Sequence, residues 1–145
     1  VGVSRIIDLH YHNNPEQFVQ GIYDLVLATD LNLPIIGYSP AKIRMPHKNK
    51  RGQYDNWSAT ALPWMSIGYE TQVPPISTLA FYNAIANNGK MMRPRFVKQI
   101  IKNGEVIADY PPEVLKKQIA KETTITQIRR ILTEVVSEGL GKKAG

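Results

Sequence analysis

Ser66-Ile-Gly-Tyr-Glu-Thr-Gln-Val-Pro-Pro-Ile-Ser-Thr-Leu-Ala-Phe-Tyr-Asn-Ala-Ile-Ala-Asn-Asn-Gly-Lys-Met-Met-Arg-Pro94 spells a turn, a helix and a stop in order. Gly68 and Tyr69 form a glycine-containing turn. Pro74 and Pro75 fall at the cap and first helical positions, where a missing N–H is harmless because the first amides of a helix have no internal partner. Ile76, Leu79, Ala80, Asn83, Ala84 and Ala86 follow with near-helical spacing. Asn88-Gly89 supplies a left-handed stop, and Pro94 disfavours helical geometry at Arg93. The stretch predicts a helix over 75–88 between a tight turn and an extended exit.

Upstream, Ile6, Ile7 and Leu9 predict a short helix over 4–12 that ends at Asn13-Asn14. Pro15 then opens a helix over 15–27, with Glu16 favourable to its N-terminal dipole. Phe18, Val19, Ile22, Leu25 and Val26 give that helix one apolar face. Residues 31–56 carry Pro34, Gly37, Pro40 and Pro46 among basic side chains and read as a long basic surface loop. Trp57 to Met65 is apolar and aromatic, with Pro63 inside it, and suits a turn or one helical turn.

Downstream, Asn103-Gly104 is a strong two-residue hairpin signal, and the flanking apolar residues place a hairpin over 95–109. Thr123 or Thr124 can cap a final helix over 124–138 with Ile125, Ile128, Ile131, Leu132, Val135 and Val136 on one face, ended by Gly139. No repeat or low-complexity tract interrupts the pattern. The fold class is α+β, mainly helical with one β-hairpin, and 145 residues suit one domain with its own core.

A net charge of +6 and a pI near 9.6 would suit an anionic partner. Lys42, Arg44, His47, Lys48, Lys50 and Arg51 form one basic loop and Lys142-Lys143 lies at a terminus, neither with the interleaved aromatics of a single-strand-binding surface. Nucleic acid is therefore not an expected partner. No run approaches the roughly 18 apolar residues of a membrane span, and the N-terminus lacks a signal-peptide pattern. The chain has no cysteine, which removes disulfides and thiol nucleophiles from consideration. His10 and His12 lie two apart on a helix and point to nearly opposite sides, so they do not share a metal. No metal or cofactor is expected.

The Ser66–Gly89 phrase resembles the transpeptidase domain of class B penicillin-binding proteins, cell-envelope enzymes that crosslink peptidoglycan stem peptides. Ser66, Gly68, Tyr69, Pro75, Tyr82, Ala84, Ile85, Ala86, Asn87 and Gly89 keep that family's pattern. Glu70 stands where glycine is common, and Pro74 where threonine is. The similarity extends over most of the chain. Trp64-Met65 before the phrase and Lys90-Met91-Met92 after it are most similar to division-type members.

The resemblance implies that 1–145 is part of a penicillin-binding/β-lactamase-like transpeptidase domain. That family works through S-x-x-K, S-x-N and K-[ST]-G motifs. Val1 to Ile7 looks like the helix after S-x-N, and Gly139 to Gly145 like the run before K-T-G. An internal fragment is expected, inactive alone, from a D,D-transpeptidase of septal peptidoglycan synthesis. By the same resemblance the parent is an inner-membrane protein with a periplasmic domain, its anchor upstream of Val1. Its partners would be stem peptides, β-lactams and divisome proteins. Tyr69 and Glu70 are carried over as cleft-adjacent positions, an apolar wall and a charged contact, with no catalytic role. Apolar surface left uncovered in the fragment would favour self-association.

Three near-matches to the catalytic motifs fail on context. Ser39-Pro-Ala-Lys42 satisfies S-x-x-K, but Pro46 follows too soon for the helix that would hold serine and lysine one turn apart. Tyr54-Asp55-Asn56 mimics a Y-x-N motif too near Ser39 in the chain. Lys143-Ala144-Gly145 lacks the hydroxyl of K-T-G. The competing reading is a non-enzymatic module whose Lys42–Arg51 loop binds an anionic polymer or protein.

Overall fold

The computed structural model describes residues 2–144. Its contacts separate into two compact units, one built from residues up to Asn32 with Gly37–Pro75, the other from Leu33–Ile36 with the residues from Ile76 onward. The class is α+β, with small antiparallel sheets among helices.

The first unit holds α1 (Gly2–Tyr11), α2 (Pro15–Asp24), β1 (Lys42–Ile43), α3 (Ala61–Met65) and β2 (Thr71–Gln72). Pro15 occupies the first turn of α2, and Asn14 precedes it at the cap without a side-chain bond. The helix stops at Asp24, short of residue 27, because the chain reverses there. Val26 adopts a left-handed φ of 65° and tucks its side chain inward, which no helix continuing through it would allow. The apolar repeat thus outlasts the helix. Val19, Ile43 and Met65 form the core, with Phe18, Ile22, Met45, Trp57 and Val73 packed around it. Pro63 lies inside α3, a single helical turn.

The second unit holds most of α4 (Pro75–Ala86), then β3 (Met91–Met92), β4 (Gln99–Lys102), β5 (Glu105–Asp109), β6 (Val114–Lys116) and α5 (Glu122–Ser137), followed by a 3-10 turn at Leu140–Ala144. The helix α4 begins at Pro75, as its sequence dictates, and ends two residues before 88. Asn88 and Gly89 both take left-handed φ, 53° and 90°. The Gly89 amide donates to the Ala84 carbonyl at 2.7 Å and its carbonyl accepts from Ile119 N–H at 2.9 Å. Ser77 of α4 is fully buried, and its hydroxyl finds no partner among the described residues.

The hairpin is shorter than 95–109: pairing starts at Gln99, with a register shift between Ile100 and Ile101. Asn103 and Gly104 supply two positive φ values, 52° and 85°, the geometry a two-residue turn between right-twisted strands requires. The helix α5 starts at Glu122, with Lys121 rather than Thr123 or Thr124 at the cap. Gly139 comes one residue after the Glu138 cap, and its N–H bonds back to the Glu134 carbonyl at 3.0 Å.

Two ladders go beyond the single hairpin. β1 pairs with β2, and β3 with β6, both antiparallel. Each joins residues more than twenty apart, so no local alternation announces them. Large apolar side chains remain exposed on α1 (Val3, Ile6, Leu9), on α5 (Ile131, Val135, Val136) and on both strands of the hairpin. No helix among the described residues is long and apolar enough to cross a membrane.

Candidate functional site

The basic loop is where the first unit concentrates its polar chemistry, and most of its charge is already answered. Arg44 donates from Nη2 to the Glu70 carboxylate, and its guanidinium lies 5.7 Å from the centre of the Trp57 ring. His47 Nδ1 sits 2.8 Å from Asp55 Oδ1. Lys48 Nζ lies 3.2 Å from Glu16 Oε1 and 4.8 Å from the centre of the Tyr54 ring. Tyr54 completes that cluster by donating its hydroxyl to Glu16 Oε2 at 2.7 Å. Asn56 closes the loop on itself, accepting from His47 N–H at 2.8 Å and donating to the Met45 carbonyl at 2.9 Å. The segment read as an open basic loop is therefore a folded excursion, and of its own cations Lys42, Lys50 and Arg51 have no ion-pair partner among the described residues.

Burial works against charge on Glu16, but the bonds from Tyr54 and Lys48 outweigh it and hold the carboxyl below its usual value. Burial, and then the hydrogen bond to Glu16, raise the Tyr54 hydroxyl. Bonds with Tyr54 and Glu16 raise Lys48. A carboxylate whose folded pKa is depressed stabilises the fold above its unfolded pKa, about 4.3, and loses that contribution as pH falls through the folded value. Wild type is therefore expected to be more stable than Glu16→Gln near neutrality, with the gap closing as pH drops below about 4.3. Paired thermal melts across that range check this. A gap that stays constant with pH would remove the ion cluster as the cause.

The Ser66 turn is built by backbone bonds back into α3: Gly68 N–H to Met65 at 3.0 Å and Tyr69 N–H to Trp64 at 3.1 Å. Gly68 has φ 94° and Glu70 φ 59°, so Glu70 occupies left-handed space that suits glycine better. Tyr69 stacks edge-on against Trp64 at 4.9 Å between ring centres, and both remain exposed. Glu70 lines an open groove of about 680 Å³ with Tyr23, Lys42, Arg44, Thr71 and Gln72, which Tyr69 does not line. Tyr23 holds one wall in place by donating to the Ile43 carbonyl at 2.8 Å. The sequence marks Arg44 only as one cation of the loop and gives Tyr23 and Gln72 no signal, because the β1–β2 pairing and the reach of Tyr23 from α2 to Ile43 are non-local.

The formal S-x-x-K match is not a catalytic pair here. Ser39 lies on irregular backbone and Lys42 on β1, both exposed, with no helical turn bringing them together. Tyr54 of the Y-x-N match is committed to Glu16. The K-T-G near-match runs into Gly145, outside the described residues. His12 pairs with Asp8 one turn earlier at 3.1 Å, while His47 pairs with Asp55 elsewhere in the unit.

A family model for the penicillin binding protein transpeptidase domain matches residues 36–145, and the chain belongs to that family. Among solved structures, penicillin binding protein 3 of Mycobacterium tuberculosis complexed with ampicillin is similar over 88% of this chain and 26% of its own, at 20% identity and TM-score 0.66. A peptidoglycan glycosyltransferase from Burkholderia ambifaria is similar over 86% of this chain and 34% of its own, at 22% identity and TM-score 0.59. A protein of Atopobium parvulum DSM 20469, described provisionally as a peptidoglycan glycosyltransferase, gives 23% identity, 89% and 27% coverage, and TM-score 0.64. The chain thus spans about a quarter to a third of the length of these structures. At such identities the likeness concerns the fold. A comparison with curated proteins finds no significant match.

Proposed function

We propose that this chain is the part of a division-type class B D,D-transpeptidase that lies between its S-x-N and K-T-G motifs, and that its role is to support and position those elements. The observation that carries the reading is the family match over residues 36–145, which includes the Ser66 turn and α4. In the parent, a serine attacks the D-Ala-D-Ala carbonyl of a stem peptide, an acyl-enzyme forms, and a neighbouring stem-peptide amine resolves it. β-Lactams would intercept the same serine; the M. tuberculosis relative complexed with ampicillin supports this part of the reading. Tyr69 and Glu70 are placed beside the cleft in this proposal, Glu70 through its groove and its bond to Arg44. The parent is an inner-membrane protein with a periplasmic catalytic domain, working with divisome proteins on septal peptidoglycan.

The alternative, a basic module for an anionic polymer, is disfavoured by the loop's own geometry, since Arg44, His47 and Lys48 already face Glu70, Asp55 and Glu16. A fluorescent penicillin separates the readings. The full-length parent is expected to be labelled covalently, and residues 1–145 alone, with or without Ser39→Ala, to remain unlabelled. Labelling of the isolated chain that Ser39→Ala abolishes would overturn the scaffold role. An unlabelled, folded parent would remove the transpeptidase reading.

A further inference from the structure

We propose that the hollow between the end of α1 and the Tyr54–Leu62 segment binds a neutral sugar, one pyranose ring at a time. The hollow holds about 290 Å³ and is lined by Asp8, His12, Asn13, Tyr54, Trp57 and Ser58, all within the first unit. Its volume lies near the lower end of small-molecule sites, about 300 Å³, and suits one ring better than an extended chain.

The lining chemistry selects the ligand class. Asp8 and His12 pair through Oδ1 and Nδ1 at 3.1 Å, which leaves the second carboxylate oxygen and Nε2 available while cancelling the charge when the imidazole is protonated. Asn13 and the Trp57 indole N–H have no hydrogen-bond partner among the described residues. Ser58 shares its hydroxyl with Thr60 at 3.3 Å and keeps spare acceptor capacity. These groups mix donors and acceptors at short range, which matches hydroxyls that are each both. Tyr54 and Trp57 add aromatic side chains to the lining, a common partner for the apolar C–H groups of a sugar ring. A phosphate or carboxylate would find no lysine or arginine in this lining.

The proposal stands on this chemistry and does not depend on the transpeptidase reading, which penicillin labelling tests separately. The experiment is a titration of the isotope-labelled chain with N-acetylglucosamine, following the Trp57 indole and Asn13 amide signals by NMR. Saturable shifts confined to the lining are expected. Affinity should fall about tenfold in Asn13→Ala and in Asp8→Asn, as for a lost polar contact, while circular dichroism shows both variants folded. Absence of saturable shifts overturns the proposal. So do shifts that both variants leave unchanged, or that acetate or free lysine reproduces.

Discussion

Met91→Ala is expected to destabilise the second unit by about 3 kcal/mol, the range for truncating a long buried side chain that leaves a cavity behind. Met91 is fully buried, although it belongs to a two-residue strand. Its neighbour Met92, across a register shift in the β3–β6 pairing, is only half-buried. Met92→Ala should therefore cost well below the Met91 change. The loss weighs heavily because small units are only marginally stable, at roughly 5–15 kcal/mol for a whole domain. Urea unfolding followed by far-ultraviolet circular dichroism reads both. Equal losses at the two positions would show that Met91 does not anchor this core.

Gly89→Ala is expected to cost about 2 kcal/mol, from two sources that act together. Its φ of 90° lies in left-handed space that alanine adopts only with strain. A methyl group there would also stand 2.3 Å from the Gln118 side-chain nitrogen, which is bonded to the Ala120 carbonyl. Gln118 can swing away at the loss of that bond, so the backbone strain is the larger part. The damage should spread past the turn, because the Gly89 carbonyl receives Ile119 N–H and Asn88 receives Arg129 of α5 at 2.6 Å. Hydrogen exchange at Ile119 in the variant is the sensitive readout. Gly104→Ala is the comparison: φ there is 85°, yet nothing crowds the site. If the two variants lose equal stability, the Gln118 contact contributes nothing.

The candidate groove shows how partial the local signal is. Glu70 was marked by its place in the Ser66–Gly89 phrase, but the cation it answers was not, because Arg44 lies twenty-six residues upstream in a stretch that reads as loop. The same holds for Glu16, which looks like a helix-dipole charge until Tyr54 and Lys48 close over it from across the unit. Tyr69, given by the resemblance as an apolar cleft wall, stacks edge-on against Trp64 in the structure.

What the chain dictates by itself is the set of features with short-range causes. Pro15 and Pro75 open helices, and Asn88-Gly89 and Asn103-Gly104 reverse the backbone, all through sterics that act within a few residues. Tertiary structure alone decided that α2 stops at Asp24, that two short ladders join distant segments, and that the basic loop is folded against carboxylates. Those outcomes depend on which distant groups meet, and a two-residue strand or a single ion pair has too little periodicity to be seen before its partner arrives.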